Sequence, residues 1–148
     1  MSLKLYEGFK KRNYVVELKK SFIQEKNKTT CFLDVWFPID SINKGYFSNK
    51  FFKRLEKVFP LLEPDPCGEG LVTQTKGVVT CSDNDVFNEK LGKTLAYSKA
   101  QRKAYSIASR LIGLMMDEFS VQSWEALKAK GFMQMCADRE KRFIESKL

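Results

Sequence analysis

Apolar and polar residues alternate with the period of a β-strand in two runs near the start of the chain. The first run covers residues 14–23, and the second, residues 31–37, is rich in aromatic and β-branched side chains and stops at Pro38. The polar segment between them, residues 24–30, is typical of a turn. These patterns predict a β-hairpin. In its first strand, one side is expected to carry Tyr14, Val16, Leu18 and Phe22.

A short helix and a further strand region follow the hairpin. Apolar residues recur at helical spacing over residues 49–59, with Ser48 as the N-cap and a proline as the stop. Three prolines and two glycines within residues 60–70 predict an irregular loop. Residues 71–75 and 77–81 then predict either one long strand or two strands.

Two long helices are predicted for the second half of the chain. The first covers residues 86–119 and follows several candidate N-caps in residues 82–85. The second begins near residue 120 or 123 and continues to residue 147, with Gly131 as a site where it could break. The buried stripe of the first helix is expected to comprise Phe87, Leu91, Leu95, Ala100, Ala104, Ile107, Ala108, Leu111 and Met115.

The order of these elements predicts a single α+β domain that covers residues 1–148. Runs of strands are separated from runs of helices, which argues against a doubly wound parallel sheet. We therefore expect an antiparallel sheet of three to four strands, packed on a long central helix and a C-terminal helix. A chain of 148 residues with 43% hydrophobic side chains is large enough to bury one core.

Composition removes several classes of chemistry. The chain has no histidine, which excludes serine triads and histidine-containing metal centres. Its cysteines are widely spaced and form no CxxC pair, so we predict free thiols rather than a zinc site or a disulfide framework. No catalytic residue, metal or cofactor is predicted. The four thiols belong to Cys31, Cys67, Cys81 and Cys136.

The sequence also leads us to expect a cytoplasmic protein. The first ten residues contain no apolar run of the length that a secretory signal needs, and no stretch is apolar enough to span a membrane.

Charge is distributed unevenly along this basic chain. The formal net charge is +8, with residues 1–60 at +7, residues 61–89 at −5 and residues 90–148 at +6. The 27 residues between Glu89 and Asp117 contain no acidic side chain. A helix without acidic side chains over that length is expected to present an uncompensated positive face.

The segment around the start of the long helix has a recurrent pattern. A strand precedes the motif CxxxDxFxxxxG, formed by Cys81, Asp85, Phe87 and Gly92, and a helix rich in alanine and basic residues follows. Over residues 77–104 this pattern resembles that of small uncharacterised phage and prophage proteins. The resemblance implies a viral or mobile-element setting and a strand that docks on a long helix, and it implies no activity.

The long helix supplies the first candidate site. Four basic residues fall on one helix face, and Lys93 extends the positive field toward the helix start. Phosphates repeat regularly along a nucleic acid, so such an array can neutralise several at once. The alternative is an ordinary solvated face of an amphipathic helix. The four are Lys99, Arg102, Lys103 and Arg110.

The hairpin supplies a second candidate. If Cys31, Leu33, Val35 and Phe37 point inward, then Phe32, Asp34 and Trp36 point outward, beside Lys19 and Ser21. Aromatic rings next to lysines on an exposed sheet are typical of surfaces that stack nucleic-acid bases. The favoured alternative is that helices cover both faces of the sheet and that these rings are core.

Two weaker patterns involve carboxylates. Glu17-Leu18-Lys19 is an E-x-K sequence on a strand, as in metal-dependent nucleases, and Asp34 is the one acidic residue on the strand expected to pair with it. Asp83 and Asp85 could hold a divalent cation, although helix capping explains them more simply.

Taken together, the residues favour a non-enzymatic protein that binds the phosphate backbone of DNA or RNA without strong sequence preference. The alternatives are a module that docks on an acidic host or virion protein and, less favoured, a metal-dependent nuclease through Glu17 and Lys19.

Overall fold

The structure is a computed structural model that describes residues 6–38, 49–59, 61–64, 70–82, 88–118 and 124–148. After a short 3-10 turn at Lys11–Asn13, the elements are β1 (Val16–Glu25), β2 (Lys28–Phe37), α1 (Asn49–Val58), β3 (Glu63–Pro64), β4 (Leu71–Thr80), α2 (Glu89–Glu118) and α3 (Trp124–Lys147).

The strands form one antiparallel sheet in the order β1-β2-β4-β3. Strands β1, β2 and β4 each have ten residues, whereas β3 pairs only two residues with the start of β4. This confirms the predicted α+β class with an antiparallel sheet, a long helix and a C-terminal helix.

Alternation over residues 31–37 of β2 separates two faces of the sheet. Cys31, Leu33, Val35 and Phe37 are at most 1% exposed and form the inner face, which packs against α2. The side chains between them lie on the outer face and are half-buried. The predicted inward and outward sets of β2 are therefore confirmed.

Helix α2 approaches the sheet closely because small residues line the contact. Ala96, Ala100 and Ala104 recur every four residues and are fully buried, so the helix backbone lies near β4. At Gly77 a Cβ would press on the carbonyl oxygen of Ala96 and lie 2.7 Å from the backbone nitrogen of Ala100. The Thr75 hydroxyl donates to the carbonyl of Ala100 over 2.9 Å, which fixes the strand against the helix.

Helix α3 packs on α2 rather than on the sheet, so α2 lies between two layers. Buried Met133, Cys136 and Ala137 are part of this helix–helix contact region. Gly131 lies inside an uninterrupted α3, where its lack of a side chain leaves room for the Tyr6 ring. The break considered at Gly131 is therefore absent. Among the described residues, extensive packing of a helix on the sheet is confined to the inner face.

A β-bulge in β1 changes which of its residues share a face. Glu17 pairs with Val35 and Lys19 with Asp34, so the extra residue Leu18 shifts the register between them. Val16 consequently lies on the outer face and Phe22 on the inner face, because they pair with outer-face and inner-face residues of β2. The prediction that Tyr14, Val16, Leu18 and Phe22 share one side is wrong for this reason.

Several boundaries differ from those predicted. Asn88 caps α2 by accepting a 3.0 Å hydrogen bond from the backbone N–H of Leu91, so the helix begins three residues later than expected. The proline-rich loop contains the short strand β3, which was not expected.

Two further points concern individual residues. Leu91 is 37% exposed rather than buried. Ser48, Cys67, Asp83, Asp85 and Phe87 lie outside the described residues.

Within the described part of the chain, no helix combines the length and apolar character that crossing a membrane requires.

Candidate anion-binding cleft

A cleft of about 770 Å³ lies between α2 and the open edge of β4. Its walls come from one face of α2, from residues 74–78 of β4 and from Ile144 of α3. Among the described residues that line it there are five cations and no carboxylate. The cations are Lys76, Lys99, Arg102, Lys103 and Arg110.

The strand wall of the cleft is a free sheet edge. β3 pairs only with Leu71 and Val72, and no other described strand lies beyond β4. The backbone N–H of Cys81 donates to the carbonyl of Asn27 at the hairpin turn, so the backbone of Cys81 faces the hairpin. Because backbone groups of alternate residues point to opposite sides of a strand, Lys76 and Val78 direct theirs to the open edge.

Two lysines of α2 bind this edge. Lys99 Nζ donates to the carbonyl oxygen of Val78 over 3.1 Å, and Lys103 Nζ donates to the carbonyl oxygen of Lys76 over 2.5 Å. These bonds hold both ammonium groups against the edge of β4 within the cleft. They also engage two of the carbonyl acceptors at this edge, so lysine ammonium groups stand beside the edge N–H donors.

Two arginines lie on the rim of the same cleft. Both Arg102 and Arg110 are exposed, and the Arg110 guanidinium lies 4.8 Å from the centre of the Phe59 ring. This cation–π contact orients the Arg110 side chain without neutralising its charge. Within the described chain, no carboxylate lies within 4 Å of any of the four predicted helix cations.

The arrangement favours one kind of ligand. Ammonium, guanidinium and backbone N–H groups all donate hydrogen bonds, and none of them accepts one. Their natural partner carries negative charge and only acceptor atoms, as a phosphate or a carboxylate does. The cations that line the cleft are therefore complementary to an anion.

Lys93 lies on another side of α2. Its ammonium forms a 3.2 Å salt bridge with Glu89 one turn earlier and lies 5.8 Å from the centre of the Phe22 ring in β1. The structure therefore places Lys93 outside the cleft and beside a carboxylate that compensates its charge.

The other predicted residues, Lys19, Phe32 and Trp36, lie on the outer face of the sheet. The register pairs Lys19 with Asp34 and Ser21 with Phe32, so the shared outer face is confirmed. Phe32 and Trp36 are half-buried. The expectation that helices cover both faces is not met in the described parts of the chain, where helix packing lies on the inner face.

Trp36 is held by its surroundings. A Cβ on Gly70 would lie 2.8 Å from Cε2 of the Trp36 indole, so the ring packs directly over this glycine. Trp36 thus contributes to packing at the end of β2.

Glu17 and Lys19 do not converge. The Glu17 carboxylate lies on the inner side and accepts hydrogen bonds from the Tyr97 hydroxyl and the Gln101 amide. Burial, together with the hydrogen bond to Glu17, raises the pKa of Tyr97. The bulge places Lys19 on the opposite face, so the E-x-K residues have no common side from which to hold a metal and a phosphate.

The described cysteines are not arranged as a metal site either. Cys31 and Cys136 are buried in the core, and Cys81 lies at the end of β4. Burial raises the pKa of the Cys31 thiol to about 11, which keeps it protonated at neutral pH. Among the described residues, no group of three or more cysteine, aspartate or glutamate side chains is placed to hold a metal ion.

The sequence patterns did not identify Lys76 or the open edge of β4 as part of the site. Lys76 is the lone cation in the acidic segment 61–89 and lies in a predicted strand. This unusual position was the one sequence feature that could have identified it. Its place in the cleft depends on the strand order, which puts β4 near the edge and beside α2.

Comparison of the chain with protein-family models, curated proteins and solved structures finds no match.

Proposed function

We propose that the protein binds nucleic acid through the phosphate backbone, without strong sequence preference and without catalysing a reaction. The supporting observation is the cleft between α2 and β4, where five cations and edge N–H groups converge and no described carboxylate competes. Lys99, Arg102, Lys103, Arg110 and Lys76 are the proposed phosphate ligands.

An acidic protein partner is the main alternative, and the free edge of β4 is the feature that favours it. A docking strand would need the edge carbonyls of Lys76 and Val78 as acceptors for its own N–H groups. Each of these carbonyls already accepts a hydrogen bond from Lys103 or Lys99, so a docking strand would have to share the carbonyl with the lysine or displace it. A phosphate backbone needs only donors, so it fits the edge without displacing the lysines.

The proposed setting is a phage or mobile element, with the protein in the host cytoplasm. The support is the pattern of residues 77–104, which spans the end of β4 and the first half of α2. This segment contains Gly77, Ala96 and Ala100, the residues that allow the close strand–helix contact and so build the cleft.

Salt should weaken the proposed binding steeply. If all five cations neutralise phosphates of a single strand, log K is expected to fall with log salt with a slope of about −3.5. Affinity for a short oligonucleotide should then fall roughly a hundredfold between about 50 mM and 200 mM salt. Fluorescence anisotropy at several salt concentrations measures the slope, and affinity that is independent of salt would refute phosphate binding.

Reversing one cleft charge tests the location. Arg102→Glu should weaken oligonucleotide binding at least about tenfold, because a repulsive carboxylate replaces a donor to phosphate. The matched control is Arg142→Glu, an exposed arginine of α3 outside the cleft with the same change in net charge. Equal losses in both variants would show that only net charge matters. Tight capture of an acidic polypeptide with no nucleic-acid binding would instead support the protein-partner alternative.

A further inference from the structure

Phe32 stands out among the aromatic residues of the sheet region. Its ring is half-buried on the outer face and has no aromatic or cation–π partner among the described residues. By contrast, the rings of Phe22, Phe59 and Tyr97 each have a lysine or arginine group nearby. No described aromatic ring or cation therefore stacks on Phe32, and part of its ring remains accessible to a ligand.

Lys76 connects this ring to the cleft. It lines the cleft and is the Cα partner of Phe32 across β2 and β4. Because the backbone of Lys76 faces the open edge, the pair is of the non-hydrogen-bonded type, in which the Cα atoms are about 4.5 Å apart. A nucleic-acid strand that leaves the cleft across the edge of β4 reaches Phe32 on the adjacent strand, β2.

The charges around Phe32 suit the same ligand. Lys76 lies opposite the ring on β4, and Lys19 lies diagonally across on β1. The one acidic neighbour on β2, Asp34, accepts a 2.8 Å hydrogen bond from the Gln74 amide and is the cross-strand partner of Lys19. The patch is net positive, and its carboxylate is already engaged.

The dimensions of the cleft favour one strand over two. A volume of about 770 Å³ is that of a pocket for a small ligand, so the backbone of a single strand can enter it. A duplex would contact only the rim, and its paired bases are stacked on one another. The bases of a single strand are free to stack on a protein ring.

We propose that the nucleic acid is single-stranded, with phosphates in the cleft and a base stacked on Phe32 after the strand crosses Lys76. This proposal rests on the proposed phosphate-binding function. It adds a substrate class and assigns the stacking role to Phe32 rather than to Trp36, which is packed over Gly70.

The test compares three ligands at one salt concentration: an oligothymidylate, an abasic strand of the same length and a duplex of that length. The protein is the full chain, measured by fluorescence anisotropy. Phe32→Leu keeps an apolar side chain but removes the π-face, Phe32→Tyr keeps the ring, and Leu18→Ala is a control at an exposed apolar residue of β1. Circular dichroism verifies that each variant is folded.

We expect the oligothymidylate to bind about tenfold more tightly than the abasic strand, and more tightly than the duplex. Phe32→Leu should remove this tenfold difference and leave the affinity for the abasic strand unchanged. Phe32→Tyr should retain it, and Leu18→Ala should have no effect.

Three results would overturn the proposal without touching phosphate binding: equal affinity for normal and abasic strands, tighter binding of the duplex, or no effect of Phe32→Leu on oligothymidylate. If Phe32→Leu changes self-association but leaves oligonucleotide binding unaltered, the outer face around Phe32 contacts a second copy of the chain, and the proposal is likewise overturned. If none of the three ligands binds, both this inference and the proposed function fail.

Discussion

Replacing Gly77 with alanine should destabilise the domain by about 3 kcal/mol or more. The added Cβ would press on the carbonyl oxygen of Ala96 and lie 2.7 Å from the backbone nitrogen of Ala100 and 2.9 Å from Cβ of Lys99. Two of these three atoms belong to the backbone of α2, which cannot rotate away as a side chain can. The helix must therefore move from the sheet, and packing on both of its sides must adjust. Urea unfolding followed by circular dichroism measures the loss.

Gly113→Ala is the matched control for that substitution. Gly113 lies in α2, the helix that Gly77 of β4 contacts, and its added Cβ would meet only the end of the Lys130 side chain, at 3.1 Å. Alanine is a better helix former than glycine by about 1 kcal/mol, so this variant should be as stable as the parent or more stable. If Gly77→Ala proves as harmless as Gly113→Ala, the close contact between β4 and α2 is not real.

Phe37→Ala should cost about 3 to 5 kcal/mol of unfolding free energy. Phe37 ends β2, is 1% exposed and lines a small space with Tyr14, Ala108 and Ile112. Removing the ring leaves a cavity at the junction of the hairpin and α2, and both the lost burial and the residual cavity lower the stability. For a domain of this size the melting temperature should fall by roughly 10 °C.

An exposed apolar residue provides the reference for this loss. Leu61 is 79% exposed, so Leu61→Ala should change the unfolding free energy by less than about 0.5 kcal/mol. If the melting temperatures of Phe37→Ala and Leu61→Ala differ by no more than about 2 °C, Phe37 is not a core residue.

Local patterns were sufficient to predict most of the elements. The alternation in β2 arises because one face of the strand is buried and the other is not, so sequence and burial have the same period. The alanines of α2 and the stop at Pro38 are equally local signals. The bulge at Leu18 was not predictable, because an extra residue in one strand leaves the composition of that strand unchanged and is visible only in the pairing.

The candidate site shows the same division between local and non-local information. Lys99, Arg102, Lys103 and Arg110 were predicted to share a face because helix geometry alone decides it, and the structure brings all four into one cleft. Lys76 belongs to the cleft through strand order, which no local pattern encodes. Lys93 was grouped with the others by sign of charge, yet its angular position on α2 takes it to the β1 side.

The two lysine bonds to β4 have a consequence for how copies of this protein behave toward one another. An uncovered strand edge can form backbone hydrogen bonds with the same edge of a neighbouring molecule, and this edge-to-edge pairing is the first step toward ordered aggregates. Lys99 and Lys103 compete with an incoming strand for the carbonyls of Val78 and Lys76, and their charges repel a second cationic edge. Acetylation of both ammonium groups would remove two positive charges from this edge, and we expect it to favour pairing of the edge with a second copy.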